Sequence, residues 1–396
     1  MTRSVRLFGS LIIVFVVLAV SEVFAGLVCH YLAQKYGIPL YQPHLTESYE
    51  QYQARLNPAL GWDASRLGKD YYDTSGSRPV PAFPDPNRYP ACVSLYGDSF
   101  VEGIGVDSEH AWSNILSILL NSRCENYGVA GYGTDQAYLK YKSSQSDRAK
   151  LVILGFLTEN IQRNVNQFRN LLSPTSQCFT KPRFLLHPQG QLSLVPIPAI
   201  SKEEYHRLAE NPERVFSHDY FMPGGPAGFQ KAEFPYLWRI FQTSGILLRR
   251  AVWGIQPYQE LYRPGHPSQA LELTVAIIEA FAQTARERGQ QHLVLIIPTV
   301  ADVGWYLRHQ KWVYQPLLSL LTERHIEYLD VGPEMIHYLN GADPKTLYDF
   351  QNQYHFNVAG NRFLAQDVHR YLTGKNFSPY LPGVSSPLTR SELNLR

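Results

Sequence analysis

Cysteine is scarce: four residues (Cys29, Cys92, Cys124, Cys178) in a chain of 396 are too few and too scattered for a disulfide scaffold. No Cys-x-x-Cys or His-Glu-x-x-His spacing occurs, and the thirteen histidines are dispersed, so no metal or other cofactor is expected. Long blocks of one charge are also missing. The formal net charge is +2, and Arg249-Arg250 and the stretch 286–288 are short and mixed with apolar residues, which reads as solvated helix surface. Nucleic acid is therefore not an expected partner. The absence of Gly-x-Ser-x-Gly argues against the standard α/β-hydrolase elbow. Gly103 and Gly105 are followed by no Lys-Ser/Thr, which removes a phosphate loop. There is no internal repeat and no low-complexity tract.

What is present is a folding-competent composition, 44% hydrophobic and 13% aromatic, in a length that suits one large or two ordinary domains. Near the amino end, Arg3 and Arg6 precede a run over 7–32 that is apolar apart from Ser10, Ser21, Glu22 and His30. Such a run is long enough to cross a bilayer. The arginines favour a cytoplasmic amino end, and Glu22 lies towards the far side. Residues 1–32 are read as an uncleaved signal-anchor, the alternative being a signal peptide cleaved near Val23-Phe24-Ala25. Either way the remainder is expected outside the cytoplasm, on a single-pass protein of the inner or plasma membrane facing the periplasm. In that compartment Cys92 and Cys124, at the starts of two neighbouring strands, are candidates for a disulfide.

Residues 33–90 are rich in Tyr, Pro, Gly and Asn and read as a stalk and irregular lead-in. From Ala91 apolar runs alternate with helical patterns. Strands are expected at Cys92–Tyr96, Cys124–Val129, Leu151–Phe156, His292–Pro298 and Ile326–Val331. Helices are expected after Asp107 or Ser108 as a cap (Trp112, Ile115, Leu116, Leu119, Leu120), over Gln136–Ser144, over Leu271–Arg286 and over Asn361–Leu372. This alternation predicts an α/β fold with a doubly wound parallel sheet over 91–375. The pattern breaks at about 165–265, read as an irregular insertion holding a hairpin at Arg183–Pro196 and an aromatic-rich stretch. Residues 376–396 read as an irregular tail.

The chemistry is carried by a few loops. Gly97-Asp98-Ser99-Phe100 follows the first strand and places a hydroxyl at the carboxyl end of the sheet, where open α/β folds keep their sites. A serine needs a base and oxyanion donors. Gly131 lies in the turn after the second strand, Asn160 just after the third, and His355 before the last helix with Asn357 as a plausible cap.

In these blocks the chain resembles the SGNH, or GDSL-like, hydrolase superfamily, of the bacterial envelope type with an amino-terminal membrane helix. The resemblance rests on Gly97-Asp98-Ser99-Phe100 with Glu102-Gly103, on the stretch from Asn126 to Gly133, on Thr158-Glu159-Asn160, and on His355-Phe356-Asn357 with Gly360. The third block is loose, lacking the usual Gly-x-Asn-Asp. The Leu60-Gly61-Trp62 segment adds to the likeness. The resemblance implies a flavodoxin-like sheet, Ser99 as nucleophile, His355 as general base, and an oxyanion hole from the Ser99 and Gly131 N–H groups with the Asn160 side chain. The aspartate usual three residues before the histidine is replaced by Asn352. The group steadying His355 is then Asp349 one turn back, Asn352 itself, or nothing.

The expected function is a membrane-anchored, extracytoplasmic serine esterase acting through an acyl-enzyme, with O-acetyl groups of cell-surface glycans as the favoured substrate. A lysophospholipase-like or lipase-like esterase and an O-acyltransferase are the alternatives within the class. A non-catalytic polysaccharide-binding or envelope assembly protein is the alternative of another class, and it predicts Ser99 and His355 far apart.

Overall fold

The computed structural model describes residues 3–36, 40–42, 45–63, 72–173 and 175–375. The tail expected at 376–396 and the part of the lead-in at 64–71 lie outside the described residues. The chain divides into two compact units, one from Met1–Leu56, Val165–Lys181 and Ile197–Pro257, the other from Asn57–Asn164, Pro182–Pro196 and the chain from Tyr258 on.

The second of these units is built on five parallel strands: β1 (Val93–Tyr96), β2 (Cys124–Asn126), β3 (Leu151–Leu157), β4 (Gln291–Ile297) and β5 (Tyr328–Asp330), in the spatial order β2-β1-β3-β4-β5. This is the flavodoxin-like order, in which the chain reverses direction across the sheet after β2. Every residue of β1 and β3 is buried, as strands covered on both faces must be, and this explains their uninterrupted apolar runs. Right-handed crossovers assign the helix after β1 to one face and those after β2 and β3 to the other. The packing agrees: α2 (Trp112–Leu120) pairs with α9 (Val358–Gly374), while α3 (Thr134–Ser143) pairs with α5 (Ala270–Glu287). The remaining helices are α1 (Ser99–Glu102), α4 (Asn160–Arg163), α6 (Val300–His309), α7 (Gln315–Glu323) and α8 (Gly332–Leu339).

One local expectation fails. Neither Asp107 nor Ser108 caps α2. The helix starts at Trp112 behind Ala111, and its first N–H donates to Asn361 Oδ1 of α9 at 3.2 Å. Asp107 instead accepts from the His110 amide at 2.9 Å, and the Ser108 hydroxyl accepts from Arg78. A tertiary partner has replaced a local cap, a substitution the sequence around Trp112 does not signal. Asn357 does cap α9, its side chain accepting from Gly360 N at 2.9 Å. Cys92 and Cys124 are free, buried thiols that hydrogen-bond to the carbonyls of Arg123 and Ser122.

The stretch expected as one insertion is divided. Its hairpin, Arg183–Leu186 with Leu192–Val195, groups with the sheet unit. Residues 165–181 and 197–257 of it join residues 1–56, with Leu40–Tyr41 pairing in parallel with Gln230–Lys231 and a Tyr49, Tyr52 and Tyr205 cluster packed beside the Glu47–Arg55 ion pair. This unit carries the long helix Arg3–Tyr36, whose 24-residue segment Phe8–Tyr31 is long and apolar enough to cross a membrane.

Candidate active site

The candidate nucleophile, Ser99, is placed by the turn that leaves β1. Asp98 caps α1, its Oδ1 accepting from Phe100 N at 2.9 Å, so Ser99 occupies the first helical position at the sheet's carboxyl edge. The loop after β2 is drawn to the same turn by Val129 N donating to Gly97 O at 3.1 Å. That approach needs a residue without a side chain at Gly128, where a Cβ would sit 2.4 Å from Glu102 N. Asn126 completes the join, its Nδ2 donating to Val101 O at 2.7 Å while its Oδ1 accepts from Gly128 N.

Ser99 and His355, remote in sequence, meet here: His355 Nε2 lies 2.8 Å from Ser99 Oγ. The other ring nitrogen, Nδ1, lies 2.9 Å from the backbone carbonyl of Asn352. A carbonyl only accepts, so Nδ1 carries the proton and Nε2 is left with its lone pair facing the serine. This is the tautomer a general base requires. Phe100 packs on the imidazole at 5.1 Å between centroids and holds its plane.

The orienting group is therefore neither of the side chains weighed from the sequence. Asp349 does not reach the imidazole: its Oδ1 accepts from Gln351 N at 2.9 Å and Asn352 N at 3.3 Å, bracing the turn. The Asn352 side chain lies over Gly105, where a Cβ would come within 2.6 Å of its Nδ2. The turn folds its own carbonyl back onto His355 through Gln353 and Tyr354, which hold φ of 50° and 61°. Left-handed non-glycine residues of this kind cost of order 1 kcal/mol or more each and concentrate at functional sites.

The candidate oxyanion donors, Gly131 and Asn160, follow β2 and β3. Gly131 sits at φ 79°, a conformation that disfavours any side chain. The peptide that carries its N–H is held on the opposite edge, where Trp62 Nε1 donates to Ala130 O at 2.9 Å. The buried Glu102 carboxylate, whose pKa burial pushes up, accepts from Tyr72 at 3.0 Å. Tyr132 OH in turn donates to Trp62 O at 2.6 Å. Asn160, 1% exposed at the start of α4, has no hydrogen-bond partner for either amide atom among the described residues. Buried amides are normally satisfied, and this one, on the loop after the strand next to β1, is a candidate donor for a bound group. Behind it Thr158 is fixed by the buried Asp302 carboxyl, itself pushed up by burial and bonded to Tyr258 at 3.0 Å.

Sequence reasoning missed Arg163. Its guanidinium donates to Asp98 Oδ2 at 3.2 Å, Tyr132 O at 3.0 Å and Glu159 Oε1 at 2.9 Å. One side chain thus ties together the serine turn, the Gly131 loop and the Asn160 segment. Its only local signal is a Glu at i−4, common on any helix. Trp62 was noted in the sequence, but its contact with the Gly131 peptide was not foreseeable.

No protein-family model matches the chain, and no curated protein sequence matches it. Among solved structures it is similar to a member of the lipolytic protein G-D-S-L family from Veillonella parvula, at 11% identity and a TM-score of 0.33 over 71% of this chain and 97% of that one. It is likewise similar to an acetylxylan esterase from Geobacillus stearothermophilus, at 10% identity and a TM-score of 0.37 over 76% and 98% of the two chains. TM-scores this low carry no inference, so the fold rests on its own strand order and the site on its own distances. On those grounds the resemblance to SGNH hydrolases, read first in four sequence blocks, extends to the flavodoxin-like strand order and to the meeting of Ser99 with His355.

Proposed function

We propose that this chain is a serine carboxylic ester hydrolase, anchored by its amino-terminal helix with the sheet unit outside the cytoplasm. The observation that carries the reading is the 2.8 Å contact between Ser99 Oγ and His355 Nε2, with Nδ1 engaged by Asn352 O. Ser99 Oγ attacks the ester carbonyl while His355 takes its proton. The developing oxyanion is received by the Ser99 and Gly131 N–H groups and the free Asn160 amide. Collapse breaks the bond to the alcohol, which leaves with the proton from His355. Water, deprotonated by the same imidazole, then releases the acid from Ser99, or an acceptor alcohol takes the acyl group in a transferase variant. A carbonyl dipole steadies the imidazolium less than a carboxylate does, so the base is oriented more than it is electrostatically stabilised.

O-acetyl groups of cell-surface glycans are the favoured substrate, on the ground of the expected location. A lipid ester is the second reading, favoured by the exposed aromatics Phe350 and Tyr354 on the turn that carries His355. The test is turnover of p-nitrophenyl acetate by the purified chain beside Ser99→Ala, with labelling by a serine-directed phosphonate. Loss of both in the variant is expected; equal rates or undiminished labelling overturn the mechanism. Acetate released from O-acetylated polysaccharide, against fatty acid released from lysophospholipid, then separates the two substrate classes.

A further inference from the structure

The helix Tyr236–Leu248 and the turn Arg249–Trp253 that follows it were read from sequence only as part of an aromatic-rich insertion. In the structure they present an unpartnered apolar stripe. Phe234, Leu237, Trp238, Phe241, Leu248 and Val252 are 40–71% exposed and recur at helical spacing, with Trp253 exposed beside them. The opposite side is also apolar. Tyr236 lies against Gly26 of the long amino-terminal helix, where a Cβ would come within 3.2 Å of its ring, and Ile240 packs on Cys29 and Leu40. Polar side chains of this helix, Arg239 and Gln242, bonded to each other, lie on the flank between these two sides, so one apolar side is packed and the other is left open.

A second observation comes from the amino-terminal helix itself. Glu22, the one carboxylate in its apolar span, accepts from Tyr236 N at 2.7 Å and Leu237 N at 3.4 Å. The carboxylate and the unpaired N–H groups of a helix end satisfy each other, as both must where water is excluded. At 1.5 Å per residue this junction lies about 13 Å below the Tyr31 end of the span. Beside it an apolar groove of about 470 Å³ runs between Phe15, Leu18, Val23 and Phe234.

We propose that the segment Phe234–Trp253 is a second membrane element. It lies in the leaflet at the far end of the anchor, with Trp238, Phe241 and Leu248 against lipid acyl chains. The occupant of the exposed stripe is the bilayer, because the stripe continues the lipid-facing surface of the anchor, where Phe15 and Phe24 are 72% and 66% exposed.

This inference rests on the anchor reading, and the test separates the two. The full chain is reconstituted in phosphatidylethanolamine–phosphatidylglycerol vesicles with brominated acyl chains, and tryptophan quenching is compared with that of the Trp238→Phe, Trp253→Phe double variant. Both substitutions are conservative and at exposed positions, so the fold is retained. The expected result is marked quenching of the parent and loss of most of the quenched fraction in the double variant. Phe15→Trp, added to the double variant, reports on the anchor. Quenching of that tryptophan with no difference between parent and double variant overturns the proposal and leaves the anchor standing, the stripe then facing water, a second copy or another protein. Absence of quenching at all three positions overturns both.

Discussion

Replacing Asn160 by leucine changes stability and activity in opposite directions if the amide is held for an oxyanion. The two side chains are close in size, so the packing around this 1%-exposed position is largely kept. Among the described residues neither the donor nor the acceptor of the amide has a partner, so the folded state bears the desolvation of both. Each unsatisfied group costs about 1–3 kcal/mol, and removing both offsets whatever shape mismatch leucine introduces. The expected net gain is about 1 kcal/mol, or roughly 2–4 °C in a unit of this size. In the reaction the amide contributes only as negative charge develops. Its loss is expected to lower kcat by about 10²–10³, equivalent to roughly 3–4 kcal/mol, with KM little changed. The measurements are steady-state kinetics on an aryl acetate and thermal unfolding of the same samples. Should the variant melt lower while kcat stays within about threefold of the parent, under 1 kcal/mol of barrier, Asn160 is a structural residue and the oxyanion assignment is wrong.

Three further outcomes are expected. Trp62→Phe keeps a ring against Tyr132 but removes the N–H that holds Ala130 O, so kcat should fall about 3–10-fold at constant KM, the worth of one neutral hydrogen bond. A lower melting temperature with unchanged kcat would assign Trp62 to packing alone. Because the acceptor of His355 Nδ1 is a backbone carbonyl, Asn352→Ala should retain activity within about threefold, whereas a hundredfold loss would mean that the side chain orients the imidazole. Asp330 is raised to about 6 by burial, although it accepts from Tyr314 OH at 2.9 Å and Gly332 N at 3.0 Å. Between the ordinary carboxyl value of 3.8 and about 6, Asp330 therefore holds a proton in the folded chain that it loses in the unfolded one. Stability should fall as pH rises through that window by about 3 kcal/mol, and Asp330→Asn should flatten the slope. Denaturant midpoints from pH 4 to pH 6.5 that decline equally in both proteins would refute this assignment.

The alternation of apolar runs and amphipathic helices determined the doubly wound sheet. Buried parallel strands must be continuously apolar, and the helices covering them must not be, so the pattern survives in one dimension. The positions of Ser99, Gly131, Asn160 and His355 were legible for the same reason. Ser99, Gly131 and Asn160 each follow a strand whose end the sequence marks, the sheet gathers those ends at one edge, and His355 precedes the last helix, whose cap the sequence also marks. The capping of α2 was not legible, because the acceptor for Trp112 N comes from Asn361 on another helix. The helix Tyr236–Leu248 was obscured because two of its sides are apolar and only a narrow flank around Arg239 and Gln242 is polar, which blurs the polar face that periodicity depends on.

By itself, then, the sequence determined the fold class and the loops that carry the candidate serine, base and oxyanion donors. Tertiary structure alone decided what steadies the base and the hole. The Asn352 carbonyl reaches His355 through two left-handed residues, and backbone direction has no side-chain signature. Arg163 and Trp62 act by convergence of segments far apart in the chain, where hydrogen-bond partners are set by folded geometry and not by residue spacing.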